Sequence, residues 1–141
     1  MIRAVLDTNV LAPGLAGFAN PASTSGALLR AWRSDQFELV TSEPILDELA
    51  RTLSRPYFRR RLSTEQVGAV LALLRSYASV TSITADVRGV ATHPEDDRIL
   101  ATAVSGKADY LVTGDAQIQK LTSYEGVEIV SPASFIRVLT G

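Results

Sequence analysis

The chain has 141 residues, 46% of them hydrophobic, a formal net charge of −1 and a pI near 5.8. That length suits one domain that buries about two thirds of its unfolded surface, and the near-neutral charge argues against a protein that grips nucleic acid through overall positive charge. There is no cysteine, which excludes disulfides and thiolate metal sites; with no apolar stretch of membrane-spanning length and no basic-then-apolar leader, the expectation is a soluble, unprocessed cytoplasmic protein.

The first strand-like run covers residues 2–6 and stops abruptly at Asp7, Thr8 and Asn9. Gly14, Gly17, Asn20, Pro21 and Ser23 then mark a loop. Helical spacing covers 25–33, a strand 37–41, a helix 43–54, a break at "SRPYF", a helix 64–77 and a short strand around Val80. A helix over 95–105, a strand 110–113, a strand 127–130 and a helix 132–139 complete the order. Strands alternating with helices predict a mostly parallel five-stranded sheet covered on both faces, with the middle helices standing out as an arm or clamp. Leu28, Leu29 and Trp32 could serve either the core or an interface.

In open α/β sheets, ligands bind beyond the carboxyl ends of the strands. Asp7 follows the first strand, and Asp115 in "YLVTGDAQI" follows a later one, so parallel strands bring both acids to one edge. Asp115 could equally cap a helix. In "HPEDDRILATAV", Asp96 lies one turn before Ile99 and Leu100 and so points along the apolar stripe, while Asp97 is turned about 90° away and suits the helix dipole. In "SEPILDELARTL", Glu48 borders the apolar stripe beside Ile45 and Thr52, and Asp47 borders it on the other side; register alone does not choose between them.

Four carboxylates within ~6 Å would repel by roughly 3 kcal/mol per pair at an effective dielectric of ~20. A cation or protons must relieve that, and oxygen ligands without histidine or cysteine suit Mg²⁺ or Mn²⁺. Between residues 51 and 61, "RTLSRPYFRRR" carries Arg51, Arg55, Arg59, Arg60 and Arg61 and no acid, a candidate phosphate-binding surface on an otherwise uncharged-on-balance chain. Tyr57 and Phe58 are the only aromatics inside it. Triad chemistry lacks a suitable histidine, since His93 is the only one and precedes Pro94. A dehalogenase-type phosphatase needs a second Asp where Asn9 stands, and a receiver-like module needs a lysine that the end of "YLV" does not supply.

Taken together, "VLDTNVL", "SEPILDELARTLSRP", "HPEDDRILATAV" and "ADYLVTGD" resemble, in this order, the PIN-domain family, the nuclease fold of VapC-type toxins of toxin–antitoxin pairs. The resemblance covers almost the whole chain and implies a three-layer α/β/α sandwich formed by residues 1–141 as a single PIN domain. It implies Asp7, Glu48, Asp96 and Asp115 as catalytic and metal-holding acids, with Asp97 the alternative to Asp96, and Asn9 and Thr113 as supporting polar groups. It further implies Mg²⁺ or Mn²⁺, single-stranded RNA as substrate, a cognate antitoxin protein and a homodimer. An RNA-processing nuclease without a toxin role, or a scaffold that only binds RNA or protein, are the alternatives within the fold. After Asp115 the chain reads "AQI" where relatives often have Lys-Asp-Leu.

Overall fold

The computed structural model describes residues 1–141. The central strand, β1 (Arg3–Leu6), is buried on both faces, with Ala4, Val5 and Leu6 fully inaccessible. That is why its sequence is a continuous apolar run with no alternation. It is flanked by β2 (Glu38–Thr41) and continues outward to β3 (Ser79–Val80). On its other side lie β4 (Tyr110–Val112), then β6 (Val127–Val130), with β5 (Ser123–Tyr124) at the edge. The order is β3-β2-β1-β4-β6-β5, parallel throughout except for the antiparallel β5–β6 pair.

The sheet therefore has six strands where the sequence predicts five. The extra one is two residues long, too short for a period-two pattern, and turns back through Glu125 and Gly126, both at positive φ.

A second correction concerns residues 8–16. The loop marked by Gly14, Gly17, Asn20, Pro21 and Ser23 begins only at Gly17, and a helix that the spacing does not predict precedes it: α1 (Thr8–Ala16) starts directly after β1, with Asp7 as its N-cap. Pro13 and Gly14, which look like breakers, lie inside it. Gly14 is there for contact: a Cβ at this position would fall 2.4 Å from Leu29 Cδ2 and 2.8 Å from the Ser25 carbonyl oxygen, so the side-chain-free position lets α1 close on α2 (Thr24–Arg33). Leu28, Leu29 and Trp32 of α2 are buried in the core rather than presented to a partner.

The remaining helices match the predicted spacing. They are α3 (Glu43–Leu53), α5 (Thr64–Tyr77), α6 (Pro94–Ser105) and α8 (Pro132–Thr140), with the single turns α4 (Pro56–Arg59) and α7 (Ala116–Gln119) between them. α6 packs on β1, β2 and β4, and the Ser42 and Thr102 hydroxyls meet at 2.8 Å in the buried seam behind β2. α2 packs on α1 and α8, whose Phe135 meets Phe37 edge-on at 5.1 Å. α5 is the protruding element. Of its 14 residues only Leu74 is buried, while Val67, Val70, Leu71 and Leu73 are half-covered. No helix is long and apolar enough to cross a membrane.

Candidate active site

The chain leaves β1 toward β2 and β3 on one side, then returns to β4 on the other, so the carboxyl ends of β1 and β4 form the switch point of the sheet. Register pairs Leu6 with Val112. The next residues, Asp7 and Thr113, are therefore neighbours at the same edge, and the Asp7 amide donates to the Val112 carbonyl at 2.9 Å.

Thr113 ties this edge together. Its hydroxyl donates to Asp7 Oδ2 at 2.8 Å and accepts from the Asp115 amide at 3.0 Å and the Asn9 side-chain amide at 3.4 Å. One donor and two lone pairs are thus all engaged. Asn9 Oδ1 accepts from the Gly114 amide at 3.0 Å, clasping the start of α1 to the turn after β4. Asp7 Oδ1 accepts the Thr8 amide at 2.7 Å, and Asp115 Oδ1 accepts the Gln117 amide at 2.8 Å. Both acids therefore cap helices, but each has a carboxylate facing the crevice as well.

A cavity of about 360 Å³ opens here, and Asp7, Glu48, Asp96 and Asp115 all line it. Glu48 comes from α3 and Asp96 from the first turn of α6. Asp47, the acid next to Glu48 on α3, is exposed and away from this cavity. The wall from α3 to α4 also supplies Thr52, Arg55 and Phe58, and α1 supplies Ala12 and Pro13. Thr52 was legible as a neighbour of Glu48 at i+4; Ala12 and Pro13 carried no signal, since the spacing predicts no helix over them.

Electrostatics show that the acids sense one another. Burial raises the Asp7 carboxyl from its ordinary 3.8 to about 6, against the hydrogen bonds from Thr113 and the Thr8 amide, and the charges of Glu48 and Asp96 push in the same upward direction. Asp96 is also raised, by burial first and then by Asp115, with Glu48 and Glu95 adding to the effect and His93 opposing it.

Asp96 and Asp97 differ from the sequence expectation in burial. Asp97 is the buried acid, at 8% exposure, whereas Asp96 is half-buried. Asp97 does not face the cavity. It accepts the backbone amides of Gly89, Val90 and Ala91 at 3.0, 3.2 and 2.7 Å, fastening the irregular segment before α6. Its partners lie six to eight residues away in a loop, and helix register carries no information about them.

The basic stretch divides. Arg55 lines the acidic cavity. Arg51 faces a small adjoining space with Glu48, Glu95 and Arg98, and Arg59 borders a separate groove with Leu53, Leu62 and Val67. Arg61 lies over the Tyr57 ring at 3.6 Å and donates to the Tyr57 carbonyl, while Arg60 is exposed. The structure thus brings Arg55 into the cavity of the four acids and Arg51 to an adjoining space that shares only Glu48 with it.

No group of three or more His, Cys, Asp or Glu side chains stands at metal-ligand spacing. The donor set nonetheless fits a hard cation. Four carboxylates and no nitrogen or sulfur ligand face one cavity, and Glu48 and Asp96 make no ion pair that would hold them back from turning inward. Burial raises Asp7 and Asp96 first and the charges of the neighbouring acids add to it, and a bound cation would offset both effects.

These features define an α/β/α sandwich with an acid-lined crevice at its topological switch point. The PIN domain model matches residues 3–117, and the chain belongs to the PIN domain family. PIN domains of the VapC type are nucleases, and PIN nucleases generally use divalent metal ions. The crystal structure of VapBC2 from Rickettsia felis bound to a DNA fragment from their promoter has a similar fold, with a TM-score of 0.61 and 17% identity over 92% of this chain and 98% of that one. No curated protein matches the sequence significantly.

Proposed function

We propose that the chain is a metal-dependent endoribonuclease that cleaves single-stranded RNA and serves as the toxin of a toxin–antitoxin pair. The observation that carries this reading is the convergence of Asp7, Glu48, Asp96 and Asp115 on one cavity at the carboxyl ends of β1 and β4. Asp7, Asp96 and Asp115 would hold Mg²⁺ or Mn²⁺, and Glu48 would complete a second site or orient water. Bound there, the ion would supply a more nucleophilic water and offset charge on the scissile phosphate.

The protein's own part is positional. Thr113 fixes the Asp7 carboxylate through a hydroxyl whose hydrogen-bonding capacity is already used, so the carboxylate cannot swing away without breaking that contact. Asn9 keeps the Gly114 turn closed, which sets where Asp115 stands. The α3–α4 wall bounds the crevice on another side and admits the polynucleotide past its arginines.

The fold likeness to a VapBC2 structure supports a small antitoxin as partner. The half-covered apolar side chains of α5 are the surface an antitoxin would clasp, and a homodimer would set two crevices side by side.

The test is cleavage of a mixed single-stranded RNA pool by purified protein in Mg²⁺, Mn²⁺ or EDTA. Cutting that needs metal and disappears in Asp7→Asn and Asp96→Asn supports the reading. A folded wild-type chain that neither binds metal nor cuts RNA refutes it.

A further inference from the structure

An anionic cavity is a poor receptor for a polyanion, so the substrate phosphate needs a fixed positive counterpart close to the acids. We infer that Arg55 is that counterpart: it holds a backbone phosphate of the nucleic acid beside the four carboxylates, and the other arginines of the basic stretch do different work. This inference rests on the nuclease reading and specifies how the same site takes its substrate.

Three observations carry it. Arg55 lines the same cavity as Asp7, Glu48, Asp96 and Asp115. Despite those neighbours it takes part in none of the chain's three ion pairs, which join Arg3 to Glu38, Arg75 to Glu43 and Arg88 to Asp86. Its backbone, by contrast, is tightly held. The Arg55 amide donates to Thr52 O, its carbonyl accepts from Phe58 and Arg59, and Pro56 follows at the first position of α4. A planar fork of donors on an anchored corner, left unpaired among acids, is suited to bidentate capture of a phosphate.

Glu48 and Thr52 stand one turn apart on α3, and Arg55 follows at the extended corner between α3 and α4, so one wall presents both an acid and the guanidinium to the crevice. The remaining arginines lack this placement. Arg61 is spent on the Tyr57 ring and carbonyl, Arg59 borders an apolar groove, and Arg51 faces a small adjoining space with Glu48, Glu95 and Arg98, outside the cavity that Asp7, Asp96 and Asp115 line.

Steady-state cleavage of single-stranded RNA in Mn²⁺ by the full chain, with Arg55→Ala, Arg55→Lys, Arg59→Ala and Arg60→Ala, tests this alongside Mn²⁺ titration without RNA. Arg55→Ala should raise KM about tenfold or more, the loss of one charge-assisted contact. Its salt dependence of RNA binding should become shallower by roughly 0.7 in log–log slope. Arg55→Lys should recover part of KM, and Mn²⁺ affinity should hold or tighten, since a positive charge has left the cavity.

An active wild type with an unchanged KM in Arg55→Ala overturns the inference and leaves the nuclease reading standing. Equal increases in KM for Arg59→Ala and Arg60→Ala, or weakened Mn²⁺ binding in Arg55→Ala, overturn it too. A folded wild-type chain that cuts no RNA overturns the nuclease reading, and the inference with it.

Discussion

Asp7 and Thr113 lie 106 residues apart in sequence and 2.8 Å apart in space, joined by a hydrogen bond from the threonine hydroxyl to the carboxylate at the ends of adjacent parallel strands. The same hydroxyl accepts the Asp115 amide, so one atom sets the positions of two of the four acids. Thr113→Val keeps the shape and removes the oxygen. It should destabilise the chain by about 1–3 kcal/mol, because a buried carboxylate and an amide both lose a partner. The hydrogen bond holds the Asp7 pKa down, so its loss should move that pKa higher still. Urea unfolding and an NMR titration of the Asp7 carboxyl check the two effects.

The raised pKa of Asp7 makes a prediction about stability in EDTA. Folded, the carboxyl binds its proton up to about pH 6; unfolded, only to about 3.8. Between those values the folded chain holds more protons, so stability falls as pH rises through the window, and the cost is complete above about pH 6. The shift corresponds to roughly 3 kcal/mol. Asp7→Asn cannot titrate, so its stability relative to wild type should improve by that order between pH 4 and pH 7. Denaturant unfolding of both proteins across this range is the measurement, and parallel curves would contradict the assignment. Asp96 is raised in the same direction and should contribute with the same sign.

Asp96 and Asp97 adjoin in sequence but should separate cleanly by phenotype. Asp97→Ala leaves the Gly89, Val90 and Ala91 amides without their acceptor and should cost about 1–3 kcal/mol of stability. Its cleavage activity should persist at temperatures where it is folded. Asp96→Ala should be at least as stable as wild type in EDTA at neutral pH, since the carboxyl it removes is raised by burial and by neighbouring acids, and should lose cleavage. Thermal unfolding and an RNA cleavage assay on the pair distinguish the roles; interchanged phenotypes would reassign the acid.

Gly14→Ala tests the packing that sets α1 against α2. The new methyl would overlap Leu29 Cδ2 and the Ser25 carbonyl, and backbone cannot yield as a flexible side-chain tip does. A loss of about 1–3 kcal/mol is expected, in spite of the better helix propensity of alanine. Thermal unfolding measures it.

Much of this architecture was legible in the residues. The apolar run of β1, the spacing of Ile45, Leu46, Leu49 and Leu53 in α3, and the stripe of α6 all carry the period of the element they form. The failures share a physical cause, which is that tertiary contacts decided the outcome. α1 persists through Pro13 and Gly14 because Val10, Leu11 and Ala12 are buried and Gly14 meets α2. β5 is too short to show a period and exists by pairing with β6. Asp97 is buried because a loop brings three amides to it. The resemblance singled out Thr113 and Asn9, but their roles as a three-way hydroxyl hub and a clasp on Gly114 depend on strand register, which appears only in the folded chain.

The most direct measurement is the cleavage rate of one labelled single-stranded RNA in Mn²⁺ for wild type and for Asp7→Asn, Glu48→Gln, Asp96→Asn and Asp115→Asn, each confirmed to be folded. The account predicts metal-dependent cutting by wild type and a fall of about a hundredfold or more in each amide variant, in line with the loss of a group that stabilises the transition state electrostatically. Two or more amide variants that cut at the wild-type rate would contradict it, because the four carboxylates would then not act as one site.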